Sequence, residues 1–365
     1  ITRSTVRIAT VLPEGGSPAF RRFSRLIAEG VEVAAATYLG EATTVEVVSR
    51  DDRGDPATAA RMVRELEGGE ALGAIGFLED GALDAAAQGR LRMLPLVSPT
   101  SRTANGEGVY TLSGADPQAA ANIARYVARE RYERVAIVHS QAPESVEEAD
   151  AFQAVLQNLG VPVVGRFSYP MGATFFREQV QEAEASLRRA EIRALRLGPN
   201  DTLRADMLEK VALFLPLPPE DVELVAPQVT FYGLDTLAVD IVGTSGWADA
   251  QTLETVDPRH TTGVVATAPE AGGSESPGYR RFEEAYESHY QRSLVSSVPA
   301  LGYDAALLLL EAAREGARTP TQLRFELERI QNLEGATGTF SILGRRVVRS
   351  TRLVRIEHGA LIPIG

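Results

Sequence analysis

The sequence contains no cysteine, and this absence excludes disulfide bonds, thiolate metal sites and thiol nucleophiles. Its positive charge is almost entirely arginine, because Lys210 is the single lysine. No apolar run reaches the roughly 18 residues that a membrane-spanning helix needs. The sequence therefore predicts no membrane span, and the lack of cysteine is compatible with an oxidising compartment.

The motifs of common enzyme classes are also missing. There is no G-x-S-x-G elbow, no P-loop and no G-x-G-x-x-G fingerprint after a strand. The best partial match to the glycine fingerprint, Gly73–Gly76, lies inside an apolar run. The histidines show no pairing at metal-ligand spacing: His139, His260, His289 and His358. We therefore expect neither an enzyme nor a bound metal or cofactor.

The chain has 365 residues, of which 44% are hydrophobic, and this predicts about two domains with well-buried cores. Its formal net charge of −12 argues against nucleic acid as a partner, because phosphates would be repelled. Ile1 leads directly into a strand pattern without an initiator methionine. We therefore expect a processed or trimmed chain, with a signal peptide, a lipid-anchored cysteine or an upstream domain ahead of Ile1.

Strand and helix patterns alternate along the first third of the chain. The β-branched run Thr43–Ser49 predicts a strand, and the turn after it contains Asp51 and Asp52. Asp55 followed by Pro56 is typical of a helix start, in which the aspartate caps the first turn. The residues that follow recur at helical spacing and predict one buried face: Ala59, Met62, Val63 and Leu66.

A second alternating set begins near Pro117 and includes the strand Arg134–Ser140. A helix is predicted over Phe175–Leu187, and Arg188–Glu209 is interpreted as a charged insertion. Strands alternating with amphipathic helices indicate mostly parallel sheets covered on both faces, so we predict an α/β fold with two doubly wound lobes. Ligands of such sheets bind beyond the carboxyl ends of the strands.

These features together resemble a type I periplasmic binding protein of the branched-chain amino-acid-binding (Leu/Ile/Val-binding) receptor family. The order and spacing of several motifs match over nearly the whole length: VRIATVLPEGGSP, SRDDRGDPATAARMV, GAIGFLEDGAL, LPLVSPTSRT, RVAIVHSQAPES, IVGTSGW and PALGYDAALLLLEAA. Two runs also resemble the penicillin-binding-protein activator branch of the same fold: VALFLPLPPEDVELVAPQVTFYGLD and GTSGW.

The resemblance implies two Rossmann-like lobes that are joined by three hinge crossings and close on a ligand. The crossings are expected near Leu112–Asp116, Ala266–Glu270 and Ala336–Phe340. The lobe boundaries that follow are 1–115 plus 268–337 for lobe 1 and 116–267 plus 338–365 for lobe 2.

The resemblance also implies a ligand site on the first lobe. In amino-acid binders of this family, the loop after the third strand offers donors to the ligand carboxylate, whereas this chain has Glu79 and Asp80. These acids would bind a ligand ammonium group or favour a helix N-terminus. Arg102 would clamp a carboxylate or pair with a neighbouring acid such as Glu14 or Glu79. The candidates in this lobe are Ser17, Phe20, Glu79, Asp80, Ser98, Thr100, Ser101 and Arg102.

On the second lobe, the family usually has an aromatic residue after the first strand, where this chain has Ser140 and then Glu144. An acid that meets the ligand ammonium group is expected further on, where the sequence has Ser245 and Trp247 instead. The indole of Trp247 would stack on a ligand or pack at a strand end. Tyr303 lies on an apolar helix and is interpreted as a core residue.

Two functions remain open from the sequence. The first is an extracytoplasmic solute-binding protein that captures a small polar ligand, an amino acid or a related compound, for an ABC importer and its permease. The second is an envelope interaction module of the penicillin-binding-protein activator type, whose cleft is vestigial and whose partner is another envelope protein. A repressor effector domain of the same fold is disfavoured, because no helix-turn-helix is present.

Overall fold

The computed structural model describes most of the chain: residues 4–40, 42–69, 71–198, 201–204, 207–231, 237, 239–271 and 273–364. Parts of two segments singled out in the sequence lie outside the described residues. These are positions 199–200 and 205–206 of the charged insertion, and positions 232–235 at the end of the activator-like run.

The strands are numbered along the chain: β1 Ser4–Val11, β2 Thr43–Arg50, β3 Ala74–Gly76, β4 Leu96–Ser98, β5 Val109–Thr111, β6 Arg134–Ser140, β7 Val163–Tyr169, β8 Val211–Leu215, β9 Asp240–Gly243, β10 Val265–Pro269, β11 Leu333–Glu334, β12 Thr339–Leu343, β13 Arg346–Arg349, β14 Thr351–Glu357 and β15 Ala360–Pro363.

The α-helices follow the same order: α1 Pro18–Thr37, α2 Pro56–Glu67, α3 Asp80–Gly89, α4 Pro117–Arg129, α5 Pro143–Leu159, α6 Arg177–Ala194, α7 Pro219–Phe231, α8 Ala250–Thr255, α9 Pro277–Tyr290, α10 Val298–Arg314 and α11 Pro320–Leu327. Short 3-10 helices cover Ser245–Ala248 and Pro258–His260.

Several helices begin with the same two-residue signal, a capping side chain followed by proline. The cap accepts a hydrogen bond from a first-turn backbone N–H, and the proline occupies a position where no N–H partner is needed. Asp55 confirms the prediction made from its sequence, because its carboxylate accepts from the N–H of Thr58 at 2.8 Å. The other helices of this kind are capped by Ser17, Asp116, Ser276 and Thr319.

The chain divides into two compact units, and each contains an α/β sheet. The first unit comprises Ile1–Gly114 and Pro269–Ser350, and the second comprises Ala115–Ala268 and Thr351–Gly365. The chain therefore passes from one unit to the other three times. The first two passages lie inside the segments expected for hinge crossings.

The third passage lies later than the sequence predicted. It was expected at Ala336–Phe340, but the chain leaves the first unit only after Ser350. The reason is that β12 pairs antiparallel with both β11 and β13. The side chains of Phe340 and Ile342 also pack into the core of the first unit. Residues 338–350 thus belong to the first unit and not, as predicted, to the second lobe.

The main sheet of the first unit has the strand order β2-β1-β3-β4-β5, and all of its strand pairs are parallel. Side chains of β1 alternate between two buried faces. Val6 and Ile8 pack with α1 and α10, whereas Ala9 and Val11 pack with α2 and α3. The α/β fold class with helices on both faces is therefore confirmed.

The sheet of the second unit has the order β15-β14-β10-β9-β8-β6-β7. Neighbouring strands in the series β10-β9-β8-β6-β7 pair in parallel. Strands β14 and β15 form an antiparallel hairpin. Helix α6 runs seven residues beyond its predicted end, to Ala194, because Ala190 and Glu191 are buried and Glu191 pairs with buried Arg134. The charged insertion therefore begins inside a helix.

Candidate functional site

The carboxyl ends of the parallel strands of the first unit define one edge of its sheet, here called the carboxyl edge. At this edge the chain leaves β3 through an unusual turn in which Gly76 has φ +138° and Phe77 has φ +57°. A Cβ atom on Gly76 would lie 1.9 Å from the carbonyl oxygen of Val11, so only glycine fits. The turn directs the chain into Glu79 and α3.

Two hydroxyl groups join the loop after β4 to the turn after β3. The Ser98 hydroxyl donates to the carbonyl of Phe77 at 3.0 Å and accepts from the N–H of Ser101, also at 3.0 Å. The Thr100 hydroxyl donates to the carbonyl of Leu78 at 2.9 Å. Ser98 is fully buried, so its hydroxyl supports the loop and does not reach a ligand.

Asp80 engages hydrogen-bond donors of the loop after β4, which contains the candidates Ser101 and Arg102. One of its carboxylate oxygens accepts from the Ser101 hydroxyl at 2.5 Å and from the backbone N–H groups of Arg102 and Thr103 at 2.7 and 3.1 Å. Burial raises the pKa of Asp80, but these hydrogen bonds together lower it below its usual value. The side chain of Ser101 is buried and held by this contact.

The aspartates after β2 are turn residues, as the sequence predicted. Asp51 accepts from the N–H groups of Glu14 and Arg53 at 3.0 and 2.7 Å. Asp52 is almost fully buried, and one of its oxygens accepts from the N–H of Gly54 at 3.1 Å. Burial and the neighbouring carboxylates raise the pKa of Asp52 to about 6.

Of the candidates at the carboxyl edge, Ser98 and Ser101 are buried, and the others are at least partly accessible. Glu79 precedes α3, is exposed, and makes no capping hydrogen bond with its side chain. Ser17 is exposed but serves as a cap, because its hydroxyl accepts from the N–H of Phe20 at 3.2 Å. The ring of Phe20 is half-buried. Glu79 is therefore an exposed acid of this edge whose side chain does not cap α3.

In the second unit, the candidates Ser140 and Glu144 lie at the end of β6 and in the first turn of α5. Ser140 is buried, and its hydroxyl accepts from the N–H of Ala142 at 3.1 Å, so it shapes the turn. Glu144 lies in the first turn of α5 and is half-buried. Ser245 is exposed at the start of a 3-10 helix. Glu144 and Ser245 are the two candidates of this unit with accessible side chains.

The sequence analysis did not identify Glu148, one turn further along α5. Its carboxylate accepts from the backbone N–H of Asp116 at 3.0 Å and from the hydroxyl of Thr244 at 2.9 Å. Burial raises the pKa of Glu148 to about 7. Glu148 stands in an acidic helical run, so nothing in its sequence pattern distinguished it from a solvated surface residue.

Of the two alternatives for Trp247, stacking on a ligand and packing at a strand end, the structure supports packing. Its ring has no exposed surface, and its indole N–H donates to the carbonyl of Leu215 at 3.0 Å. A Cβ atom on Gly243 would approach this ring to 2.3 Å, which shows how closely the strand covers it. Trp247 is therefore a core residue with a satisfied indole.

Among the described residues, no group of three or more histidines and acids is arranged to hold a metal ion. In the same part of the chain, every helix is too short or too polar to cross a membrane.

Residues 5–360 match the family model of the periplasmic binding proteins. The chain belongs to the periplasmic binding protein family. The resemblance to a periplasmic binding protein is thus confirmed. Membership of this family of solute-binding receptors also implies a location outside the cytoplasm. No curated protein matches the chain.

Solved structures of this family have the same fold. An ABC transporter substrate-binding protein from Sphaerobacter thermophilus has a TM-score of 0.73 at 19% identity, with 99% of this chain and 97% of that chain covered. The leucine-binding protein LivK from Thermotoga maritima has a TM-score of 0.66 at 22% identity, with 99% and 98% covered.

A third structure is the solute-binding protein of an ABC transporter from Rhodopseudomonas palustris BisB5 in complex with 3,4-dihydroxybenzoic acid. Its TM-score is 0.67 at 18% identity, and the match covers 99% of this chain and 96% of that chain. All of these sequence identities are below 25%. The structural similarities therefore establish the type I periplasmic binding fold but do not identify the ligand.

Proposed function

We propose that this periplasmic binding protein captures a small polar ligand, an amino acid or a related compound, for an ABC importer. The observation that carries the proposal is the match to a receptor family over residues 5–360, with an accessible acid at the carboxyl edge. Two of the similar structures are binding proteins of ABC transporters, one of them in complex with 3,4-dihydroxybenzoic acid, and a third is named as a leucine-binding protein.

The ligand chemistry follows from which groups at the carboxyl edge are already engaged. Asp80 holds the hydroxyl of Ser101 and two backbone N–H groups, so these donors do not receive a ligand carboxylate. Glu79 offers an exposed carboxylate beside them and suits a ligand ammonium group. The guanidinium of Arg102 suits the ligand carboxylate, because arginine binds carboxylates in a bidentate manner.

The proposed ligand residues are therefore fewer than those predicted from the sequence. In the first unit they are Ser17, Phe20, Glu79, Thr100 and Arg102. In the second unit they are Glu144 and Ser245. We assign the remaining predicted residues to positioning, because Asp80 is engaged with the loop after β4 and the others are buried: Ser98, Ser101, Ser140 and Trp247.

Thermal denaturation against a panel of amino acids, hydroxybenzoates and cell-wall fragments tests the proposal. A ligand at about 100 times its Kd stabilises the folded form by about 2.7 kcal/mol, which shifts the melting temperature measurably. We expect a shift with at least one small polar compound. A panel without any shift would contradict ligand capture.

Glu79→Gln separates the ammonium contact from general binding. For a ligand with an amino group, we expect the Kd to rise at least tenfold, equivalent to about 1.4 kcal/mol. A ligand that lacks an amino group should bind the variant as it binds the parent protein. Isothermal titration calorimetry measures both, with Glu315→Gln on an exposed helix end as the matched control. An unchanged Kd for the amine would remove Glu79 from the site.

One observation favours the alternative, an envelope interaction module of the penicillin-binding-protein activator type. In the second unit, Met171 and Phe175 are 69% and 80% exposed in the loop between β7 and α6. Leu224 of α7, 39% exposed, lies close to this loop because the amide of Gln228 donates to the carbonyls of Thr174 and Leu224. Exposed apolar groups of this kind are typical of protein contacts.

The two functions give different results in one pair of measurements. Ligand capture predicts a thermal shift that Phe175→Ser leaves unchanged. The interaction module predicts no shift with small molecules and loss of envelope-protein binding in Phe175→Ser. Lipid anchoring stays a prediction, and incorporation of labelled palmitate by the product of the whole gene would test it.

A further inference from the structure

A cavity of about 720 Å³ opens at the amino-terminal end of the sheet of the first unit. Its wall includes Thr5 and Arg7 from the first half of β1, and Leu72 and Leu94 from the segments that enter β3 and β4. The cavity thus lies at the opposite end of these strands from the carboxyl edge. Its volume is in the range of pockets that hold small molecules.

The wall of the cavity carries more positive than negative charge. It contains the side chains of Arg7, Arg92 and Arg318 and of two acids, Glu46 and Glu67. Both acids are already engaged within the protein. Glu46 pairs with Arg7 at 2.6 Å, and the buried carboxylate of Glu67 accepts backbone N–H groups, including that of Arg92 at 2.8 Å.

Arg92 and Arg318 provide the charge that these acids do not neutralise. Within the described residues, neither of them forms an ion pair with a carboxylate. One terminal nitrogen of Arg318 donates to the carbonyls of Ala313 and Ala317 at 2.8 and 2.7 Å, which fixes the guanidinium at the end of α10. A guanidinium held in this way presents its remaining N–H groups in a defined direction and loses little entropy on binding.

Hydroxyl groups and apolar surface complete the wall. Thr319 and Thr321 lie at the start of α11, and Thr5 lies on β1, so hydroxyl donors flank the arginines. Leu72, which is slightly exposed, and the half-buried Pro320 supply apolar surface. A doubly charged oxyanion on a small organic body would fit both parts of this wall, because guanidinium groups bind such oxygens bidentately and the apolar side chains cover the body.

We propose that this cavity is a second binding site of the protein, specific for a small molecule with a doubly charged oxyanion, a phosphate monoester or a dicarboxylate. Arg92 and Arg318 bind the oxyanion. The site is independent of the solute site at the carboxyl edge, and its existence does not require the proposed transport function.

Titration calorimetry with three probes tests the proposal: inorganic phosphate, phenyl phosphate and succinate. We expect saturable binding of phenyl phosphate or succinate that weakens as salt is added. Tighter binding of phenyl phosphate than of inorganic phosphate would show that the apolar part of the cavity wall contacts the organic body of the ligand. Preference for succinate over both phosphates would select the dicarboxylate. Absence of saturable binding of all three at millimolar concentration would overturn the proposal.

Arg92→Gln is the deciding variant, because its side chain is exposed and has no structural ion pair among the described residues. We expect at least a tenfold rise in the Kd of the bound probe. Arg329→Gln is the matched control, because Arg329 is exposed and lies outside the cavity wall. Equal binding by the parent protein and Arg92→Gln would refute the assignment.

Two further variants keep the result interpretable. Arg318→Lys retains charge but loses the fixed fork, so we expect weaker binding in a folded protein, which thermal melting verifies. Glu79→Gln should leave probe binding at the cavity unchanged. A change in probe binding in Glu79→Gln would contradict the independence of the two sites.

Discussion

The carboxylate of Asp80 holds a loop in place through one oxygen. That oxygen accepts from the Ser101 hydroxyl and from the N–H groups of Arg102 and Thr103. A carboxylate that accepts several hydrogen bonds favours its ionised form, and this explains why the pKa is lowered although burial opposes it. At the scale of single residues, Asp80 thus determines which donors remain for a ligand.

Asp80→Ala should release this loop without unfolding the unit. We expect amide hydrogen exchange at Arg102 and Thr103 to become at least tenfold faster, because both N–H groups lose their acceptor. Asp84→Ala on the same helix is the matched control, since Asp84 accepts from the side chain of Asn105 at 3.0 Å and not from the backbone. Unchanged exchange in Asp80→Ala would show that another contact orders the loop.

At the scale of elements, the packing of α1 against α10 depends on two glycines. A Cβ atom on Gly30 would lie 1.8 Å from the carbonyl oxygen of Pro299, and one on Gly302 would lie 2.0 Å from the carbonyl oxygen of Ile27. The two backbones are therefore in direct contact. Neither of these close backbone contacts could be inferred from the sequence, because there both glycines only lower the helix propensity.

Gly302→Ala should destabilise the first unit by about 3 kcal/mol, because the two helices must move apart. The gain in helix propensity, up to about 1 kcal/mol, is smaller than this cost. Gly81→Ala is the matched control: Gly81 is also helical, but its nearest neighbour is the Pro56 side chain at 3.8 Å. Urea denaturation followed by circular dichroism compares them, and equal stabilities would contradict the close packing.

At the scale of the whole molecule, the buried Asp52 and Asp304 and the half-buried Glu148 make stability depend on pH. Burial raises the pKa of Asp52 and Asp304 to about 6 and that of Glu148 to about 7. In the unfolded chain these acids titrate near pH 4. Between these values the folded protein binds more protons than the unfolded chain, so its stability decreases as pH rises.

We therefore expect the melting temperature to be higher at about pH 5.5 than at about pH 8. The contribution is fully present below the unfolded pKa and is lost as pH rises through about 6 and then about 7. Differential scanning calorimetry across this range measures it. Glu148→Gln should reduce the slope near neutral pH, and the exposed Glu178→Gln should not. A melting temperature that rises towards pH 8 would contradict the prediction.

Local signals in the sequence were sufficient for much of the fold. Asp55-Pro56 predicted the start of α2, and the alternation of apolar runs with helical patterns predicted parallel sheets, because both signals act within a few residues. The third passage between units was misplaced because β12 looks like any short strand. Its partners, β11 and β13, are fixed by pairing and by the burial of Phe340.

The candidate site was harder to predict from the sequence, because the type of a residue does not determine which other residues it contacts. Trp247 and Ser140 were predicted to contact a ligand, but both are buried with their polar atoms engaged within the second unit. Glu148 was not predicted, because its hydrogen bonds to Asp116 and Thr244 span distant parts of the chain. Contacts of this kind depend on how elements pack.

The sequence by itself determined the α/β class and the starts of several helices, because these follow from periodicity and short capping signals, and its motifs resembled those of the family. Tertiary structure alone decided that Asp80 holds the donors of the loop after β4, that Trp247 lies in the core, and that arginines line a cavity at the amino-terminal end of a sheet. These facts join residues far apart in the chain, and only the packing of elements brings them together.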